Sequence, residues 1–404
     1  MIVVGDCREV MAGMEPESVD AVVCDPPYEL SFMGKGWDGT GIANDVGMWR
    51  EALRVLKPGG HLVAFGGTRT SHRMVCAIED AGFEIRDSLM WMYGSGFPKS
   101  HNLHGEHEGW GTALKPAHEP ICLARKPLIG TIAANVAEHG TGAINVDACR
   151  IEGAPPSVPQ PDFSSVNGRE THLDANRRNG EMSHAAGRWP SNVVLDEAAA
   201  RALDEAVGER KVGKLSRKKP AVGWNGAKPW VDCDYGGDTG GPSRFFLNVA
   251  PIDSEDWDGA RFLYQSKSSR AERNAGLDGM PERDARHYGV IEGHADVRPG
   301  RVVQDRKPTT ASNHHPTVKP VALMRWLVRL VTPPGGLVLD MFAGSGSTGV
   351  ACVAEGMRFR GIEQSPEYAA IAEARIAHAE AVRDTSAPKP ADISDLPIFA
   401  TAAD

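Results

Sequence analysis

One stretch near the C-terminal end of the chain leaves few choices of fold. Leu337-Val-Leu-Asp340 reads as a buried strand, and Gly344-Ser-Gly346-Ser-Thr-Gly349 follows it and leads into a helix that runs to Glu355. Phe359–Ile362 reads as the next strand, and it ends on Glu363. Glycines at a strand-to-helix turn let a ligand approach the backbone, and the helix N-terminus supplies N–H donors. An acid at the end of the next strand can accept hydrogen bonds from both ribose hydroxyls. No lysine follows the last glycine, so this is not a Walker loop. The spacing predicts an adenosine-containing cofactor, against the plainer reading of a structural turn. It leaves open whether that cofactor is a dinucleotide, a flavin or S-adenosylmethionine.

The same alternation fills the first third of the chain. Met1–Val4, Ala21–Cys24, His61–Phe65, Phe83–Tyr93 and Glu119–Ala124 read as extended, and Trp49–Leu56 and Arg69–Ala81 as helices. Lys57-Pro-Gly-Gly60 is the helix stop. The pattern returns with helices over Val321–Val331 and Pro366–Glu380, the latter with Ser365 as N-cap. Strands alternating with helices predict an α/β fold, a mostly parallel, doubly wound sheet with helices on both faces. Between 125 and 312 glycine, proline, asparagine and charge dominate, with strand-like runs only at Arg244–Val249 and Ala260–Gln265. The expected organisation is a first half over 1–124, a loop-rich insert over 125–312, a second half over 313–383 and a loose tail over 384–404.

Composition narrows the class. With 404 residues, 41% apolar and 24% charged, the chain is globular, and its 45 glycines and 28 prolines make loops abundant. It has no apolar run of about 18 residues, so no membrane partner is expected. The start lacks a basic, then apolar, leader. Seven scattered cysteines without a Cys-x-x-Cys pair predict a reducing cytoplasm rather than a disulfide scaffold. A net charge of −9 argues against coating nucleic acid by bulk charge, but leaves room for a local basic cleft.

Asp25-Pro-Pro-Tyr28 decides among the cofactors. It follows a buried strand directly, at the carboxyl end where open α/β sheets place ligands. The prolines stiffen the loop and leave its carbonyls free to accept hydrogen bonds. The exocyclic amine of a nucleobase is a poor nucleophile, because its lone pair is delocalised into the ring. The Asp25 carboxylate and the Pro26 carbonyl, by accepting its two N–H bonds, would favour a tetrahedral nitrogen and localise that pair. Tyr28 would stack on the base for attack on a methyl sulfonium.

Together with Asp340-Met-Phe-Ala-Gly-Ser-Gly-Ser-Thr348, this motif resembles the amino-methylating DNA methyltransferases that use S-adenosylmethionine. The catalytic motif precedes the cofactor motif with a long insert between, which resembles the circularly permuted β-group. Phe32-Met-Gly-Lys-Gly-Trp37-Asp38, Gly66-Gly-Thr-Arg69, Gly94-Ser-Gly-Phe-Pro-Lys99 and Thr112–Glu119 resemble phage and prophage members. The resemblance covers about residues 1–125 and 312–380. It implies a Rossmann-like methyltransferase fold, Asp25, Pro26, Pro27 and Tyr28 as the catalytic loop, and no covalent enzyme intermediate. It implies a cofactor site from Asp340, Phe342, Ala343, Gly344, Ser345, Gly346, Ser347, Thr348 and Glu363. Asp6 and Cys7 of Gly5-Asp6-Cys7 would lie near the adenine, and Thr317, Lys319 and Pro320 of His315-Pro-Thr-Val-Lys-Pro320 near the methionine part. Two positions depart from the pattern: Glu29 replaces a small or polar residue, and Met341 a proline.

The target base lies inside a duplex and must be flipped out, so the insert is the expected target-recognition region. Arg210, Lys211, Lys214, Arg217, Lys218 and Lys219 form its strongest basic run and are candidates for phosphate contacts. Lys35, Trp37 and Arg69, nearer the catalytic motif, are candidates for the DNA cleft. The His101-x-x-His104-x-x-His107 spacing lacks a matching acid framework, so no metal is expected. Cys24 belongs to the strand and packs rather than attacks. The expected activity is N6-methylation of adenine in double-stranded DNA, with the cytosine-N4 amine as the alternative. A dinucleotide-dependent oxidoreductase leaves Asp25–Tyr28 unexplained, and a non-catalytic DNA-binding protein leaves both motifs unexplained. A bacterial or phage-infected cell is the expected setting; a homodimer and a cognate restriction endonuclease are the partners such an enzyme would have.

Overall fold

A computed structural model of the chain describes residues 1–30, 36–94, 100–151, 188–211, 239–249, 268–284 and 310–386. The first half contains β1 (Ile2–Val4), α1 (Cys7–Ala12), β2 (Val19–Cys24), α2 (Val46–Val55), β3 (Leu56–Phe65), α3 (Ser71–Asp80), β4 (Glu84–Met92) and β5 (His118–Arg125). The middle contributes α4 (Ile132–His139), β6 (Val193–Asp196), α5 (Glu197–Val207), β7 (Arg210–Lys211), β8 (Thr239–Gly240), β9 (Leu247–Val249), α6 (Arg270–Asn274), β10 (Arg283–Asp284) and β11 (Thr310–Ala311). The chain then forms α7 (Val321–Val331), β12 (Leu337–Asp340), α8 (Ser347–Ala354), β13 (Arg358–Glu363) and α9 (Pro366–Ser386).

Among the described residues, nine strands make one sheet in the order β1-β13-β12-β2-β3-β5-β4-β6-β9. Only β5 runs antiparallel to its neighbours, so the sheet is mostly parallel. The strand after the glycine turn's helix and the strand before Asp25 thus bracket β12, although they lie at opposite ends of the sequence. β2 is buried along its whole length, and its side chains alternate between two cores. Val19, Val22 and Cys24 pack with Met48, Trp49 and Ala52 of α2 on one face; Ala21 and Val23 pack with Leu323, Met324 and Leu327 of α7 on the other. Two covered faces are the doubly wound arrangement that the alternation predicts.

Four differences from the sequence reading have local causes. α2 begins at Val46 rather than Trp49, because Asp45 accepts the Gly47 N–H and caps it. Lys57-Pro-Gly-Gly60 ends that helix but is itself part of β3 rather than a connector to it. Val19 pairs with Leu56 and Ala21 with His61, so the extra residues are taken up in a bulge. Gly59 has φ +74° there, and a Cβ would run into Asn135 and Gly142. The run Arg244–Val249 is a 3-10 turn over Pro242–Phe245 followed by the short strand β9, not one strand. Within 125–312, β6 and β9 extend the main sheet in parallel beside β4. The Ala260–Gln265 run and the basic Arg301–Lys307 stretch lie outside the described residues. No helix among the described residues is long and apolar enough to cross a membrane.

Candidate active site

The parallel strands point their carboxyl ends at one edge of the sheet, and β1, β2, β12 and β13 deliver Asp6, Asp25, Asp340 and Glu363 there. β5, being antiparallel, brings its first residues to the same edge. A cavity of about 750 Å³ opens among them, lined by Asp25 to Tyr28, by Gly344, Ser345, Ser347 and Thr348, and by Asp6, Thr317, Lys319, Asp340 and Glu363. That volume falls in the usual range for ligand pockets.

On the glycine-loop side, Gly344 takes φ +51° and its N–H donates to Glu363 Oε2 at 2.8 Å. The other Glu363 oxygen accepts the Ser365 N–H at 2.8 Å. Burial raises the Glu363 carboxyl above its ordinary range. Gly346, at φ +77°, caps α8. Asp340 accepts the Thr348 hydroxyl at 2.5 Å and the Phe342 N–H at 3.0 Å, and burial outweighs both and pushes its carboxyl up to about 7. Arg375 of α9 supports the loop from below, donating to the Ser345 carbonyl at 2.6 Å. Asp6 caps α1 and is held by Arg8, whose Nη2 lies 2.7 Å from Oδ2; that contact keeps the carboxyl below its usual range.

On the catalytic-motif side, a charged cluster surrounds Tyr28. The Lys319 ammonium lies 2.8 Å from Asp25 Oδ2 and 3.1 Å from Glu119 Oε2. It also donates to the Tyr28 hydroxyl at 2.9 Å, and that hydroxyl donates to Glu119 at 2.9 Å. The Phe65 ring is 4.7 Å from the ammonium. Burial pulls the Lys319 ammonium down, but the Asp25 and Glu119 carboxylates outweigh it and raise it above its ordinary 10.5. The Thr70 hydroxyl donates to the Tyr28 carbonyl at 2.6 Å, and Gly67 leaves room for the ring. Glu29 takes φ +55°, rare for a residue with a side chain. Its carboxylate accepts the N–H of Gly41 at 2.7 Å and of Ala43 at 3.3 Å, so the unusual acid clamps the neighbouring loop.

Other candidates are distributed as follows. Cys7 and Phe342 line the cavity, as does Ala343. Gly346 and Pro320 do not; Pro320 is the N-cap of α7. Cys24 is fully buried within β2. Arg69 is exposed in the turn before α3. Trp37 falls in a 3-10 turn over Gly36–Gly39, and Arg210 and Lys211 form β7. Lys35, Lys214, Arg217, Lys218 and Lys219 lie outside the described residues. The sequence reading gave Glu119 no role. The available signal was a carboxylate opening an otherwise apolar strand, because a buried polar residue is the informative exception.

The donor set separates the cofactors. Among the described residues, seven carboxylate side chains line the cavity, and its Arg8 and Lys319 are each paired with one or more of them. Such a site repels a pyrophosphate and suits a ligand carrying positive charge. S-adenosylmethionine, whose sulfonium and ammonium outnumber its one carboxylate, suits it better than a dinucleotide does.

A family model described as DNA methylase matches residues 19–374. The Type II methyltransferase M2.DpnII of Streptococcus pneumoniae is 33% identical over 102 residues, 24% of this chain and 38% of that protein. The DNA adenine methyltransferase YhdJ of Escherichia coli (strain K12) is 47% identical over 55 residues, 14% of this chain and 19% of that protein. The chain thus matches about a fifth to two fifths of the length of these curated relatives. Among solved structures, the PvuII DNA methyltransferase (cytosine-N4-specific) aligns with 93% of this chain and 85% of its own at 14% identity and a TM-score of 0.43.

Proposed function

The chain belongs to the N6/N4 DNA methylase family, and we propose that it transfers a methyl group from S-adenosylmethionine to the N6 amine of adenine in duplex DNA. One observation carries the reading: Asp25–Tyr28 and the Gly344–Thr348 loop line a single acid-rich cavity. We assign the cofactor to the side formed by Asp6, Asp340, the glycine loop and Glu363, with the target base at Asp25–Tyr28. The Arg8-held Asp6 and the Glu363 carboxylate bind its nucleoside, and the carboxylates around Asp340 favour its positive charge. The bound cofactor supplies an electrophilic methyl group.

The chain's own residues supply position. Asp25 and the Pro26 carbonyl accept the two N–H bonds of the flipped amine, which turns its lone pair out of the ring. Tyr28, anchored at its hydroxyl and its carbonyl, holds the base plane. Asp25 then holds the proton that the methylated amine sheds and releases it to solvent. Catalysis is orientation in a site that excludes water. The adenine assignment draws on the Asp at position 25 and on the local likeness to an adenine methyltransferase. The order of the two motifs favours the permuted β-group.

The decisive experiment incubates purified protein with unmethylated DNA and labelled S-adenosylmethionine, then analyses the digested nucleosides by mass spectrometry. N6-methyladenine is the expected product. Methyl on the cytosine amine would keep the mechanism and replace the base; no methyl on diverse DNAs, despite cofactor binding, would overturn the activity.

A further inference from the structure

We propose that Glu119 is a positioning residue for this reaction. From β5 it holds Lys319 and Tyr28 in one buried charged platform, and that platform presents the Asp25 carboxylate to the target amine. The inference rests on the methyl-transfer reading above and gives a role to Glu119, the last residue of the Thr112–Glu119 stretch, to which the sequence reading gave none.

The topology explains how Glu119 arrives. Every neighbouring strand reaches the catalytic edge with its last residue; β5 alone is antiparallel and reaches it with its first ones, His118 and Glu119. The Glu119 side chain is 11% exposed, Lys319 4% and Asp25 17%, so the three charges face one another largely without water. Lys319 is shared between the two carboxylates, at 2.8 Å from Asp25 and 3.1 Å from Glu119. Tyr28 closes the circuit, accepting from Lys319 and donating to Glu119.

Sharing is the point of the arrangement. A buried ammonium facing one carboxylate would bind it as tightly as geometry allowed, and an Asp25 so engaged would be a poorer acceptor for the amine N–H. Glu119 draws off part of that attraction. It also fixes the Tyr28 hydroxyl and thereby the ring that holds the base. Among the described residues, the groups facing Lys319 are Asp25 and Tyr28 from the loop after β2, Glu119 from β5 and the Phe65 ring from β3. Without the Glu119 charge, burial regains weight and the ammonium loses its proton more readily.

The test compares the full-length protein with Glu119→Gln and Glu119→Ala, using thermal melting and S-adenosylmethionine calorimetry to establish that each variant folds and binds cofactor. In Glu119→Gln, whose amide oxygen can still accept from Tyr28, kcat should fall by about 10²-fold with KM for DNA nearly unchanged; Glu119→Ala should also raise KM. The wild-type kcat should stay level to about pH 10, whereas Glu119→Gln should acquire a fall on the alkaline side. NMR of the Lys319 ammonium should place its titration lower in Glu119→Gln than in the wild type by about one pH unit or more. Wild-type kcat, pH profile and Lys319 titration in Glu119→Gln would overturn the proposal. A wild type that methylates no DNA amine would overturn the methyl-transfer reading instead, and the NMR arm would still decide whether Glu119 sets the Lys319 charge.

Discussion

Two acids at neighbouring strand ends have opposite tasks. In the proposed reaction Asp25 accepts hydrogen bonds, so Asp25→Ala should lower kcat by about 10²–10⁴-fold or more while S-adenosylmethionine affinity, read by calorimetry, is retained; equal loss of both would remove Asp25 from its role. Asp340 instead braces the loop through Thr348 and Phe342. Burial pushes it to about 7 from the ordinary 3.8, so the folded chain holds that proton more tightly than the unfolded one. Its ionisation therefore costs stability above pH 7, and the cost fades as the pH falls toward 4. Asp340→Asn carries no such charge, so the Tm of the variant minus that of the wild type should be more positive at pH 8 than at pH 6, by about 1–2 °C per kcal/mol relieved. An equal difference at both pH values would place the Asp340 titration elsewhere.

Helix ends show what the sequence made legible and what it hid. β12, α7 and the glycine turn were readable because each carries its own signal, an apolar run, a 3.6-residue period or a Gly spacing. β6 and α5 also had one, since Val193-Val-Leu precedes Asp196, which caps α5 through the Ala199 N–H. It was lost in the surrounding Gly- and Pro-rich text. The cap of α7 was not readable at all. Pro320 offers that helix no side-chain cap, and the Val321 N–H is taken at 2.6 Å by Glu272 of α6, 49 residues earlier. Glu119 and Lys319 are likewise 200 residues apart, and no local pattern couples them. Glu272→Ala should uncap α7 at a cost of about 0.5–2 kcal/mol, measured as a lower Tm. It should also lower kcat, because α7 begins two residues after Lys319, which holds Asp25 and Tyr28. An unchanged Tm would mean that water replaces the carboxylate.

At the scale of the molecule, the proposed activity asks a chain of net charge −9 to bind a polyanion, which takes a local patch. The basic run from Arg210 to Lys219 is the candidate. Lys218→Ala with Lys219→Ala should flatten the slope of log K for DNA against log salt by about 0.9 for each phosphate contact removed. An unchanged slope would take those residues out of the interface. The sheet order has a second consequence, in time rather than space. β2 carries the Asp25–Tyr28 loop at its end, and one of its two neighbours, β12, is encoded more than 300 residues later. At about 5–20 residues per second, a ribosome leaves that apolar strand with an open edge for roughly 15–60 s. The emerging chain is most vulnerable to sticking to other chains during that interval. The two sides of the cavity come together only after translation has passed Glu363, when β12 can pair with β2 on one edge and β13 on the other.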